Sequence, residues 1–115
     1  MKKLISINDR IFIAGASGMV GSSIYRNLKN SGYGNKVHGG IIYTPTRKEL
    51  NLLDYNQVLD WFNHNKPSVV IIAAGKVGGI KANEEYPADF ILQNLKIQTN
   101  IIEISWKLRI KRLLF

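Results

Sequence analysis

The stretch Arg10-Ile11-Phe12-Ile13-Ala14-Gly15-Ala16-Ser17-Gly18-Met19-Val20-Gly21 decides the fold of this 115-residue chain. Arg10 to Ala14 is a short apolar run that stops at a glycine, the pattern of a buried strand. Gly15 to Gly21 is glycine-rich and leads into a segment where Val20, Ile24 and Leu28 recur every fourth residue, one apolar stripe of a helix. Strand, glycine turn and helix together make a cradle for a pyrophosphate. Gly15 permits the tight turn, Gly18 keeps side chains clear of the phosphates, and Gly21 lets the helix pack closely on the sheet. The helix start then points free N–H groups and partial positive charge at the anion. The spacing is Gly-x-x-Gly-x-x-Gly, so the strand–turn–helix setting, more than the triplet itself, carries the reading of a dinucleotide site.

Working outward, Ser31-Gly32 ends this helix and Tyr33 to Gly40 reads as a polar loop. Ile41 to Thr44 is a second strand closed by Pro45. Asp54 is an N-cap for a helix to about Asn65, with Val58, Leu59 and Phe62 as its apolar face. Pro67 introduces Ser68 to Ala73, a buried parallel strand. After a loop from Ala74 to Tyr86, Pro87 opens a long helix to about Leu108, and Arg112 to Phe115 begins a fourth strand. The order βαβαβαβ predicts an α/β fold, the N-terminal half of a Rossmann-type doubly wound parallel sheet with helices on both faces. The expected strand order is 3-2-1-4. The long helix carries two apolar rows. Phe90, Ile97, Ile101, Ile104 and Leu108 suffice to dock on the sheet; Ile91, Leu95 and Ile102 suggest burial against another helix or subunit.

Bulk properties narrow the classes. No apolar run is long enough to span a membrane, no secretory signal is read, and the absence of cysteine fits a cytoplasmic protein. The net charge of +8 favours an anionic partner. The cations Lys107, Arg109, Lys111 and Arg112 read as a solvated helix end rather than a nucleic-acid patch. His38 and His64 are isolated and read as surface residues. Tyr25 and Lys29 have the Tyr-x-x-x-Lys spacing of a proton-transfer pair, but they lie on the first helix beside its apolar stripe, which excludes reach to a substrate.

The exit of the second strand bears on which dinucleotide binds. An NAD site usually places an acid there, on the ribose hydroxyls. This chain has Thr44-Pro45-Thr46-Arg47-Lys48, with no acid until Glu49. Arg47 suits a bidentate contact to a 2′-phosphate, and so NADP is expected; Ser17 adds a hydroxyl donor.

With these residues in place, the chain from Arg10 to Phe115 resembles the GDP-L-fucose synthase family of extended short-chain dehydrogenase/reductases. The likeness rests on the glycine turn, on Arg47-Lys48-Glu49-Leu50-Asn51-Leu52-Leu53-Asp54, on Ala73-Ala74-Gly75-Lys76-Val77-Gly78-Gly79-Ile80, and on Tyr86-Pro87-Ala88-Asp89-Phe90 with Gln93-Asn94. The resemblance implies that Gly15, Ala16, Ser17, Gly18, Met19, Val20 and Gly21 hold the pyrophosphate and Arg47 the 2′-phosphate of NADP. It implies that Asn51 and Leu52 border the adenine, and that Ala73, Ala74 and Lys76 line the inner cofactor site. It further implies a GDP-sugar substrate and a homodimer built through the helix over 87–108. One departure is Ala16-Ser17, where bacterial members often carry His-Arg; NADP preference then leans on Arg47. A second is that the family's catalytic serine and cysteine loop, its Tyr-x-x-x-Lys pair and its sugar-nucleotide domain would follow Phe115. Residues 1–115 are therefore expected to be a truncated NAD(P)-binding domain, inactive alone, with no catalytic residue to assign. The alternative is a stand-alone NAD(P)-binding or redox-sensing module.

Overall fold

The computed structural model describes residues 4–73 and 87–115. Strand β1 (Arg10–Ala14) is followed by helix α1 (Met19–Asn30), a short 3-10 turn (Lys36–His38) and strand β2 (Ile41–Tyr43). Helix α2 (Tyr55–Asn65), strand β3 (Val69–Ile72), helix α3 (Pro87–Lys107) and strand β4 (Arg112–Leu114) complete the order. Every strand pairing is parallel, and the order across the sheet is β2-β1-β3-β4. The expected alternation and α/β class hold.

The expected order 3-2-1-4 does not hold. β3 pairs with β1, not outside β2. Burial accounts for this. β1 from Ile11 onward and all of β3 are buried, so both need neighbours on each side and cover on each face. β2 is short and only partly buried, and β4 is exposed, which suits them to the edges. The β1–β3 pairing runs beyond both strands: Ser68 N–H donates to the Arg10 carbonyl at 2.8 Å and Ala73 N–H to the Ala14 carbonyl at 2.9 Å.

Alternation along β1 and β3 sorts the core into two layers. Phe12, Ala14, Val70 and Ile72 face Val58 and Phe62 of α2 and Ile101 and Ile104 of α3. Phe12 meets the Phe62 ring edge-on at 5.0 Å between centroids, a favourable aromatic geometry. Ile11, Ile13, Val69 and Ile71 face Ile24, Tyr25 and Leu28 of α1. Val20 does not belong to that stripe as expected; it is exposed, because it sits in the first turn, beyond the end of the sheet. Tyr25 takes an inward place instead.

On α3, Ile97, Ile101, Ile104 and Leu108 pack on the core as expected. Phe90, of the same row, is only part-buried. The second row stays uncovered, with Ile91 56 %, Leu95 53 % and Ile102 40 % exposed, and Trp106 extends it.

The amino edge of the sheet is tied by a group the sequence reading passed over. Asp9, buried just before β1, accepts from Ser6 N–H at 2.7 Å, from Ser68 Oγ at 2.8 Å and from Lys111 Nζ at 3.1 Å. Ser68 precedes β3 and Lys111 precedes β4, so one carboxylate pins the starts of three strands. Lys111 is thus not a member of a merely solvated cation run, and Lys107 also has a partner, donating to Tyr55 Oη at 3.2 Å.

Candidate nucleotide site at the carboxyl edge of the sheet

Because the strands are parallel, the turn after β1, the exit from β2 and Ala73 after β3 all lie at the same edge. The chain leaves β1 for β2 on one side and then crosses to β3 on the other. The point where the order reverses, between the ends of β1 and β3, is where open α/β sheets bind ligands.

The glycine turn is built from the chain's own constraints. Gly15 has φ of 87°, a left-handed conformation that L side chains disfavour, and Gly18 N–H donates to its carbonyl at 3.1 Å. Gly21 is buried, and a Cβ there would lie 1.9 Å from the Gly15 carbonyl oxygen and 2.6 Å from its carbon. Its closest neighbours are therefore the turn itself, not the sheet it was expected to pack on. Gly18 is different. Its φ of −77° suits any residue, and an added Cβ would meet only the Gly15 oxygen, at an ordinary 3.5 Å. Nothing inside the described chain requires glycine at this position. Gly18 is also the N-cap of α1, with no side-chain cap bond and no acid in the first turn. The first N–H groups of α1 are thus open to an anion. Ser17, Met19 and Val20 are exposed around this opening, and Ala16 packs against the α1-side core.

The β2 exit is more ordered than a plain loop. Thr46 N–H donates to Glu49 Oε1 at 3.0 Å, and Glu49 N–H donates to Thr46 Oγ1 at 3.3 Å. Arg47 and Lys48, between them, are exposed. Asn51 Oδ1 accepts from Leu53 N–H at 3.1 Å, and Asn51 N–H donates to Gln57 Oε1 at 2.7 Å. Leu52 packs against the core, and its carbonyl accepts from Asn100 Nδ2 at 2.9 Å. Asn51 and Leu52 are therefore lashed to α2 and α3 by Gln57 and Asn100, which sequence reading missed. The Thr-x-x-Glu signature at Thr46–Glu49 was available as a signal. Ala73 is part-buried beside the glycine turn. Ala74 and Lys76 lie outside the described residues.

Other candidates fall away from this edge. The Tyr25 ring packs on the core, with Lys29 Nζ 5.8 Å from its centroid, and Tyr25 stands about 10 Å down the helix from Gly18 at 1.5 Å per residue. His38 and His64 are exposed, and no metal-ligating cluster occurs among the described residues. An open concavity of about 600 Å³ at Ser105, Trp106, Lys107, Arg109 and Ile110 belongs to the opposite edge, where α3 ends. Among the described residues no helix is long and apolar enough to cross a membrane.

A parallel sheet with a phosphate-type glycine turn at its switch point defines a Rossmann-type nucleotide-binding fold. The chain belongs to the NAD dependent epimerase/dehydratase family, whose sequence profile matches residues 11–115. It is 48% identical over 107 residues to the GDP-L-fucose synthase of Escherichia coli K12, covering 93% of this chain and 32% of that one. It is 47% identical over 106 residues to GDP-L-fucose synthase 1 of Arabidopsis thaliana, covering 92% of this chain and 31% of that one. Among solved structures it is similar to MlghC, a GDP-mannoheptose C4 reductase from Campylobacter jejuni with NADP bound. That likeness has a TM-score of 0.83 and 35% identity, and covers 95% of this chain and 32% of the other. The chain thus spans about a third of the length of the relatives it matches.

Proposed function

We propose that this chain binds NADPH across the carboxyl edge of its sheet, as the cofactor-binding part of a GDP-L-fucose synthase. The observation that carries the reading is Gly18. It caps α1 without a side chain, and neither its backbone angles nor its surroundings within the chain demand glycine. A phosphate resting on the first turn of α1 does demand it. Sequence identity near 47% to GDP-L-fucose synthases supports the assignment.

On this reading Gly15, Ala16, Ser17, Gly18, Met19, Val20 and Gly21 hold the pyrophosphate, with the N–H groups at the start of α1 as donors. Arg47 pairs with the 2′-phosphate, Asn51 and Leu52 border the adenine, and Ala73, Ala74 and Lys76 line the inner part of the site. NADPH, when bound, supplies the hydride. The residues of this chain bind and orient it, and none of those described is assigned a proton. The reaction is epimerisation of GDP-4-keto-6-deoxy-D-mannose at C3 and C5 followed by reduction at C4. We place the protein in the cytoplasm as a homodimer joined through α3, a reading supported by the uncovered row Ile91, Leu95 and Ile102.

The test is a titration with NADPH and NADH, read by nicotinamide fluorescence. The expected result is at least about tenfold tighter binding of NADPH, the scale of one charge-assisted bidentate contact. Preference for NADH, or binding of neither, overturns the reading.

A further inference from the structure

We infer that Thr46 and Glu49 are positioning residues that set the cofactor preference of this site; the inference rests on the NADP reading above. After β2 the chain closes a turn within four residues. The side chain of each end residue accepts from the backbone N–H of the other, the reciprocal arrangement of a capping box. Leu50 N–H and Glu49 N–H both also donate to the Thr46 carbonyl, at 2.9 and 3.0 Å. Leu50 is buried, which anchors the far side of the turn in the core.

Arg47 and Lys48 occupy the middle of a closed turn, exposed and without a hydrogen bond or ion pair among the described residues. Their cations project from a fixed backbone, so less freedom is lost when a 2′-phosphate is engaged. Glu49, meanwhile, is the first acid after β2. Here that carboxylate is turned back onto Thr46. Its carboxyl is held below the ordinary range chiefly by the Thr46 amide, which fits an acceptor engaged in the turn. Glu49 thus closes the turn that steadies the cations favouring NADPH.

The experiment compares wild type, Glu49→Ala and Glu49→Gln, each titrated with NADPH and NADH. Glu49 is exposed, so neither substitution threatens the fold. Glu49→Ala is expected to bind NADPH about fivefold more weakly, as for loss of a cap, with NADH affinity within about twofold of wild type. Glu49→Gln, which can still close a capping box, is expected to match wild type on both within about twofold. Equal loss for both cofactors in Glu49→Ala would show a merely structural role and overturn the inference. Unchanged NADPH affinity in Glu49→Ala, or an effect of Glu49→Gln as large as that of Glu49→Ala, overturns it while the NADP reading stands. A wild-type protein without NADPH preference overturns both.

Discussion

Helices α1 and α2 flank the same sheet on opposite faces, yet they begin in opposite ways. At α2 the Asp54 side chain accepts from Gln57 N–H at 3.2 Å, and the Gln57 side chain in turn accepts from Asn51 N–H. That helix start is closed by its own sequence. At α1 the cap is Gly18, which offers no side-chain acceptor, and no acid follows in the first turn. Replacing an aspartate cap by glycine costs only a few tenths of a kcal/mol. Leaving α1 open therefore costs the fold little, whereas a diphosphate on the same N–H groups gains charge-assisted bonds. The comparison separates residues that serve the fold from residues that serve a ligand, and it can be broken at either end.

Gly21 should give the largest effect. A Cβ 1.9 Å from the Gly15 carbonyl oxygen meets backbone, which cannot swing aside like the tip of a side chain. Gly21→Ala is expected to lower stability by about 3 kcal/mol, the upper part of the overpacking range. Urea denaturation showing an unchanged midpoint would mean that the turn tolerates the contact. Gly18→Asp comes next and tests the comparison directly, because it gives α1 the cap that α2 has. Stability should hold or rise by a few tenths of a kcal/mol, while NADPH affinity falls about 100-fold, since the new carboxylate competes for the N–H groups and repels the phosphates. Undiminished NADPH binding would remove the start of α1 from the site.

How much of this was readable in advance follows from the range of each signal. The glycine turn, the Asp54 cap and the apolar runs of β1 and β3 are local patterns, and each formed where its own residues predicted. The strand order was not local. It depended on which strands most need burial, and placing β3 beside β1 required weighing the four strands against each other. Val20 matched the helical period but lies past the end of the sheet, which periodicity cannot register. Arg47, Asn51 and Leu52 were candidates from the sequence, but the contacts that hold this segment were partly out of reach. Asn100 meets the Leu52 carbonyl across 48 positions of sequence, and Asp9 meets Lys111 across 102. Thr46 and Glu49 are three apart, and there a legible signature was overlooked because no helix follows it.

The amino edge extends the comparison, since Asp9 closes it as Asp54 closes α2. Burial of the Asp9 carboxyl disfavours its charge, but the Ser6 amide, the Ser68 hydroxyl and Lys111 outweigh that and hold it below the ordinary aspartate range. Lys111 is half exposed, so solvent screens its share and the two hydrogen bonds matter more. Asp9→Ala is expected to cost about 2 kcal/mol at pH 7 by removing the hydrogen bonds to this ionised carboxylate. A depressed folded-state pKa adds stability that is present above the unfolded value of about 3.9 and is lost as pH falls through the folded value. The gap between wild type and Asp9→Ala should therefore narrow as pH falls below about 4, and a gap that does not narrow in denaturation curves at lower pH would refute the assignment. NADPH binding to Asp9→Ala, measured where the protein remains folded, should be unchanged, because Asp9 lies at the edge away from the glycine turn.

Asp54→Ala is the smallest of these effects and the complement of Gly18→Asp. It should lower stability by about 1 kcal/mol through loss of the Gln57 N–H bond, and leave NADPH affinity within about twofold of wild type. If NADPH affinity fell in step with stability, the start of α2 would be coupled to the ligand through Asn51, whose carbonyl accepts from Asp54 N–H at 3.1 Å. The division between a closed helix start and an open one would then have to be redrawn to include the β2 exit on the open side.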